Sequence, residues 1–384
     1  MQIITTTEAL AEFCRAASAE PYVTVDTEFL RERTYYARLC LVQLALPGTG
    51  DARAVLVDPL AEGLDLAPLW DLMRPPGRVK VFHAARQDLE IFWIDGQVIP
   101  QPLFDTQIAA MVCGYGEQAG YETLVRKIAR ANLDKTSRFT DWSHRPLSDQ
   151  QLRYALADVT HLRVIYETLS KRLAAEGRGS WLAEEMAILT APATYVTRPE
   201  DAWQRIKTRG NTGRFLAVVR ELARFRENHA QSRNIPRSRV FKDDALLELA
   251  STRPANHDEL GRSRLLLREA RRGEISDGIL AAVRTAMALD PRDLPKPEDE
   301  GEQLQVNPAL ADLLRVLLKA RADQSGVAQK LIAATSELDA IAAGRRDLPC
   351  LTAWRAGTFG QDAPRLSRGE LAPTAGGREG VTLG

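Results

Sequence analysis

Strand-like segments crowd into the first quarter of the chain, and every later periodic segment reads as helix. That partition rules out a single repeating architecture and divides the molecule into an α/β part and an all-α part. Tyr22–Glu28 (YVTVDTE), Tyr36–Leu46 (YARLCLVQLAL) and Ala54–Val57 (AVLV) follow one another closely, which predicts an antiparallel meander. Lys80–His83 (KVFH) predicts a short strand leading into a helix over Ala85–Trp93. Gly120–Arg130 and Ser148–Leu173 carry 3.6-residue periodicity, and Ser148 followed by Gln151 is a capping-box start for the longer helix. The prediction is a mixed sheet covered by helices, an α/β domain over residues 1–192.

Two polar, Pro-containing stretches, Thr190–Asp201 (TAPATYVTRPED) and Asp290–Gln305 (DPRDLPKPEDEGEQLQ), read as linkers. The helical segments on either side of the second linker repeat each other. A shift of 92 positions sets Val218, Leu222, Phe225, Ile235, Val240, Leu246, Leu249 and Ala250 on Leu310, Leu314, Leu317, Val327, Ile332, Leu338, Ile341 and Ala342. Two small all-α domains of one type are predicted, at 208–288 and 304–365, followed by a Gly-rich, disordered tail at 366–384. A length of 384 residues agrees, because one domain typically takes about 100–200.

Bulk properties exclude several classes. Cys14, Cys40, Cys113 and Cys350 are scattered without a CxxC pair, which argues against a zinc site and a disulfide scaffold. The opening MQIITTTEAL lacks the basic start and apolar core of a secretory leader, and no run reaches the ~18 apolar residues of a membrane span. A cytoplasmic protein with no membrane association is expected, as a monomer. Net charge is zero, so any polyanion must meet a local patch. Trp203 to Lys242 supplies one, with eleven Arg and Lys against Glu221 and Glu227, 11 − 2 = +9. Arg220, Arg224, Arg233, Arg237 and Arg239 in this stretch are candidate contacts to a nucleic-acid backbone, a solvated face being the alternative.

The chemistry-bearing residues are acids. On a strand, Asp26 and Glu28 point to one face and Val23 and Val25 to the other. Neighbouring carboxylates on a half-buried strand repel each other, and a divalent cation neutralises them directly. Asp88 falls in the first turn of the helix after KVFH, where an acid also suits the helix dipole; Glu90 is a rival. Tyr154 and Asp158 stack one turn apart on a helix whose opposite stripe is Leu152, Leu156, Val159 and Leu162. Each fragment alone has an ordinary structural explanation; their order along one α/β domain is far more specific.

That order, D-x-E, a strand–helix Asp, then Y-x-x-x-D, resembles the DEDD exonuclease superfamily with its ribonuclease H-like fold, and the tyrosine resembles its DEDDy branch. DTEFLRERTYYARLCLVQLA, HAARQDLEIF, FDTQIAA and LDKTSRFTDWSHRPLSDQQLRYALADVTHL, with the two C-terminal repeats, resemble the bacterial ribonuclease D family over residues 1–365. The repeats resemble HRDC domains, helical nucleic-acid-binding modules. The first carries ARFRENHAQSRNIPRSRVFKDDALLELAS; the second has GVAQKLIAA in place of the NIP-R-x-x-V segment.

The resemblance implies a 3′→5′ exoribonuclease that releases 5′-mononucleotides, trimming tRNA precursors and other small RNAs with a free 3′ end. It implies two Mg²⁺ or Mn²⁺ ions held by Asp26, Glu28, Asp88 and Asp158, with Tyr154 orienting the attacking water. It also implies that Thr27, Phe29 and Leu30 meet the terminal nucleotide. His83 is a candidate phosphate or sugar contact, or else a satisfied imidazole; Lys135 is a candidate backbone contact, as are Arg138 and Trp142. A DNA-directed exonuclease and a non-catalytic RNA-binding scaffold on the same fold are the competing readings.

Overall fold

A computed structural model describes residues 2–75, 77–134, 136–208, 212–296, 305–376 and 381–384. The chain divides into two compact units: Met1–Glu28, Leu39–Thr194 and Gln303–Gly384 form the first, and Phe29–Arg38 with Tyr195–Glu302 the second.

The first unit holds a six-stranded sheet of β1 (Gln2–Ile4), β2 (Tyr22–Leu30), β3 (Arg38–Ala45), β4 (Ala54–Val57), β5 (Val79–Phe82) and β6 (Leu103–Asp105), in the order β1-β4-β3-β2-β5-β6. β3 and β4 are antiparallel, as the short connection requires, whereas β2 runs parallel to β5 and β5 to β6. The meander is therefore one part of a mixed sheet. The strands on either flank, β1 and β6, have only three residues each, too few to show a period of two.

Among the described residues of the first half of the chain, seven α-helices accompany this sheet, and three matter most for the site. They are α3 (Arg86–Gly96), α4 (Thr106–Val112) and α6 (Asp149–Ala175); they follow α1 (Thr7–Ser18), α2 (Ala67–Met73) and, before α6, α5 (Tyr121–Leu124), and precede α7 (Gly179–Leu189). α6 opens with the predicted capping box: Gln151 N–H donates to Ser148 Oγ at 3.3 Å, and Ser148 N–H to Gln151 Oε1 at 3.0 Å. Its stripe of Leu152, Leu156, Val159 and Leu162 is buried, and the Thr24 hydroxyl of β2 donates to Val159 O at 2.9 Å. Strand β2 and helix α6, which carry most of the acids, are thus locked together.

The second unit is helical: α8 (Gly213–Ser232), α9 (Arg237–Val240), α10 (Asp243–Thr252), α11 (His257–Gly261) and α12 (Gly273–Ala288) enclose Leu222, Phe241, Leu246 and Ile279, all fully buried. Residues 29–38 belong here rather than to a continuous 1–192 domain, because polar groups hold them. Asn234 Oδ1 accepts the N–H groups of Tyr35 at 3.1 Å and Tyr36 at 3.0 Å, and Tyr35 donates its hydroxyl to Glu227.

The remaining helices are α13 (Pro308–Ser325), α14 (Gln329–Ile332), α15 (Thr335–Ala342), α16 (Ala353–Arg355) and α17 (Asp362–Ser367). They form no free-standing domain at 304–365, since they pack within the first unit. Ala328 N–H donates to Met111 O at 3.0 Å, Arg178 to Ser325 O at 2.6 Å, and Trp354 stacks on Trp181 at 4.6 Å. Gly114 has a positive φ, and a Cβ there would lie 2.5 Å from Gly326 O, so the two backbones need glycine to meet. The helix register keeps the repeat: α14 starts 329 − 237 = 92 residues after α9, and α15 starts 335 − 243 = 92 after α10. The 366–384 tail is not without structure. Leu366 and Leu371 are buried, and β7 (Pro373–Ala375) pairs antiparallel with β8 (Val381–Leu383).

Candidate active site

β2 places its acids as the alternation predicts. Val23 and Val25 are fully buried on one side, while Asp26 and Glu28 are half-buried on the other. α6 brings Asp158 to them. Carboxylate oxygens of Asp26, Glu28 and Asp158 all lie within 4.8 Å of one another, the one such acidic or metal-ligating cluster among the described residues.

Asp88 stands beside this trio, not in it. It is buried in the first turn of α3 and accepts the Thr27 hydroxyl. Thr27, predicted to meet substrate, therefore has a structural partner. Asp88 is the α3 acid whose charge acts on both Asp26 and Glu28, which separates it from Glu90.

The electrostatics show the strain of this gathering. Burial and then the charges of Asp158, Asp88 and Glu28 hold the Asp26 carboxyl well above its ordinary range. Burial, Asp158 and Asp88 push Glu28 up to about 9, with Arg138 opposing. Burial lifts Asp88 to about 7 against the Thr27 hydrogen bond, and lifts Asp158 to about 7 against Tyr154 and Arg138. A cluster of hard oxygen donors that retain protons without a counter-charge fits a divalent cation of the Mg²⁺ or Mn²⁺ type.

Tyr154 is half-buried one turn before Asp158 and hydrogen-bonds it. Burial and then Asp158, Glu28 and Asp26 raise its phenol above the ordinary value, so it keeps its proton. It is a donor beside the acids, not a base.

Two residues at the site were not singled out by any pattern in the sequence, although Asp105 lies in the FDTQIAA segment. Tyr121 donates its hydroxyl to Asp158 O at 2.7 Å and Ala157 O at 3.0 Å, which fixes α6 backbone at the acid. Asp105, in the FDTQ segment, caps α4 and accepts N–H groups from Ala84 at 3.1 Å and Ala85 at 2.8 Å. It thereby holds the turn that delivers Asp88. An isolated tyrosine and an acid between a three-residue strand and a helix show no period from which either role could be read.

Other candidates fall out unevenly. Burial lowers His83 to about 4, leaving the imidazole neutral. Thr106 Oγ1 donates to Phe82 O at 3.0 Å and lies 3.0 Å from His83 Nδ1, so the imidazole is satisfied by donating to Thr106. Phe29 and Leu30 are half-buried and belong to the second unit. Trp142 is buried with its ring 6.0 Å from that of Tyr154, and Arg138 is exposed. Lys135 lies outside the described residues.

The basic stretch is less free than its charge count implies. Arg220 and Arg224 both pair with Glu221, Arg233 with Glu274 at 2.5 Å, and Arg226 with Asp243 at 2.7 Å. Arg237 grips buried Glu227 through Nε at 2.5 Å and Nη2 at 2.6 Å while lying over the Tyr35 ring. Arg239 and Lys242 are exposed and make no ion pair among the described residues.

Comparison with known proteins agrees with this geometry. A family model described as 3′-5′ exonuclease matches residues 1–174, and an HRDC domain model matches residues 215–283. Ribonuclease D of Jannaschia sp. (strain CCS1) is 60% identical over 98% of this chain and 97% of its own length. Ribonuclease D of Granulibacter bethesdensis is 48% identical over 98% and 95%. The crystal structure of Escherichia coli RNase D, an exoribonuclease involved in structured RNA processing, superposes with a TM-score of 0.82 at 30% identity, covering 96% of this chain and 98% of that one. With its acid cluster, its mixed sheet and its near full-length relatives, the chain belongs to the ribonuclease D family of 3′-5′ exonucleases.

Proposed function

We propose that this chain shortens RNA from a free 3′ end, releasing 5′-mononucleotides, with tRNA precursors and other small structured RNAs as substrates. The observation that carries the reading is the gathering of Asp26, Glu28 and Asp158 within 4.8 Å, beside buried Asp88. Asp26, Glu28 and Asp158, with Asp88 through its own side, would hold two Mg²⁺ or Mn²⁺ ions. Such ions, when bound, activate water and offset charge on the scissile phosphate and leaving 3′ oxygen.

The protein's own groups do the rest. Tyr154, a protonated phenol among carboxylates, donates or accepts a hydrogen bond that orients the attacking water. Thr27 is a positioning residue that sets the Asp88 rotamer, and Tyr121 fixes the backbone under Asp158. Phe29 and Leu30 directly follow Glu28 on β2 and wedge against the terminal base. Arg239 and Lys242 of the HRDC domain attract RNA backbone, and the paired arginines Arg220, Arg224, Arg233 and Arg237 add to that field. The region 305–367 is a diverged second HRDC-like repeat. Its α14 and α15 retain the register of α9 and α10, and Leu314, Ile332, Leu338 and Ile341 are buried like Leu222, Val240, Leu246 and Leu249. Among the described residues it has no long counterpart of α12, since α17 spans six residues.

The test compares 5′-labelled RNA and DNA of one sequence, each with Mg²⁺, Mn²⁺ or EDTA. Stepwise shortening of RNA from its 3′ end that stops in EDTA is expected. Digestion that persists in EDTA removes the metal roles, and faster digestion of the DNA removes the RNA assignment.

A further inference from the structure

The first unit also holds a cavity away from the acid cluster. A cavity of about 350 Å³ opens between the turn before α3, the helix α4 and the segment GVAQKLIAA that carries α14. Volumes of about 300–1,000 Å³ are usual for small-molecule sites. None of its lining residues belongs to the carboxylate set or to Tyr154.

The lining is sorted by chemistry. Met111, Ile108 and Leu331 give an apolar floor, Gln107 and Gln118 add carboxamides, and Arg86 and Lys330 supply two cations at the rim. Both cations are exposed, and neither makes an ion pair among the described residues. One acid, Asp105, also lines the cavity, but its oxygens already accept four backbone N–H groups, from Ala84, Ala85, Gln107 and Ile108.

The α14 segment is docked, not lying loosely. Ala328 N–H donates to Met111 O at 3.0 Å, and Arg355 Nε to Leu331 O at 2.7 Å. This is the stretch in which the second repeat departs from the first: where the first carries the arginine-rich NIPRSRV, the second carries GVAQKLI. Its apolar positions Val327, Leu331 and Ile332 are buried, which leaves Lys330 facing outward over the cavity.

We infer that this cavity binds a nucleoside 5′-phosphate, with the base on the apolar floor, its edge read by Gln107 or Gln118, and the phosphate between Arg86 and Lys330. The size, the two exposed cations and the apolar floor match that ligand together; a hydrophobic metabolite would leave both charges idle, and a bare anion would leave the floor empty. Two sources share this chemistry: the mononucleotide that the reaction releases, and a nucleotide unit of the bound strand. The inference does not depend on which acids hold the metals.

The test uses the full chain in EDTA, so that neither turnover nor a metal-bound phosphate contributes. Binding of AMP and of a 12-nucleotide RNA is measured by calorimetry for the natural chain, for R86A/K330A, and for K171A/K319A, which removes two exposed cations elsewhere. Unchanged melting temperatures check that each variant is folded. AMP affinity at least fivefold weaker in R86A/K330A, with K171A/K319A unaltered, supports the site and assigns it to free mononucleotide. RNA affinity at least fivefold weaker than in K171A/K319A, with AMP unaltered, supports it and assigns it to the strand. If R86A/K330A loses no more than K171A/K319A with both ligands, the inference is overturned.

Discussion

Tyr154 keeps its proton because burial, and then three neighbouring carboxylates, raise its phenol above the ordinary value. Its work is then to direct a hydrogen bond, and Tyr154→Phe removes that bond with little change in volume. Turnover of RNA is expected to fall by about 100-fold, within the range found for such groups, while Mn²⁺ binding measured by calorimetry stays within about twofold. Near-normal turnover would dismiss the role. A second contrast concerns two arginines that look alike in the sequence. Burial pushes the Glu227 carboxyl up, but hydrogen bonds from Arg237 and Tyr35 outweigh it and leave the carboxyl below its ordinary range. Arg237→Gln strands that buried acid and is expected to cost about 2 kcal/mol in urea unfolding, less than a fully buried pair because Arg237 is partly wet. Arg239→Gln should leave stability unchanged, weaken RNA binding and reduce its salt dependence. Equal behaviour of the two variants would contradict the distinction. Composition shows both residues as charge; only the fold shows that one of them is a strut.

At the scale of elements, legibility followed length. β2 and α6 were readable because nine and twenty-seven residues are enough to display periods of two and 3.6, and these elements carry Asp26, Glu28, Tyr154 and Asp158. β1 and β6 were not, and with β6 went the role of Asp105, which depends on a turn whose partner is twenty residues away in sequence. Asp88 needed the family pattern, since a first-turn acid is ordinary until Thr27 is seen beside it. The second repeat was readable as a pattern of apolar positions but not as a partner of the exonuclease core. Its docking rests on contacts such as Trp354 against Trp181 and Arg355 with Glu185, which no local pattern announces. Trp354→Ala removes a ring that is 92% covered, and is expected to cost about 3 kcal/mol, read as a lower midpoint in urea unfolding. A shift below about 0.5 kcal/mol would mean that the docking is not cooperative with the core.

For the molecule as a whole, the acid cluster is a stability liability that metal should relieve. Denatured carboxyls titrate near about 4, whereas Glu28 is held at about 9 and Asp88 and Asp158 at about 7. Between those limits the folded chain binds more protons than the unfolded one, so stability falls as pH rises. A bound divalent cation lets the acids ionise and removes the slope. The melting temperature in EDTA is therefore expected to drop below that in Mn²⁺, by a gap that widens from pH 5.5 to pH 8.5. A gap that is constant or narrows would contradict the assignment. Finally, the first unit is built from the two ends of the chain, with Tyr195–Glu302 between them. A ribosome releases residues 39–194 more than a hundred residues before α13 emerges. Throughout that interval Met111 and Trp181 lack their C-terminal partners Ala328 and Trp354. The catalytic core must therefore wait, half-dressed, for residues 303–384 to be made, and a chain cut short by an early stop codon in the linker would expose that surface permanently to the cell's proteases.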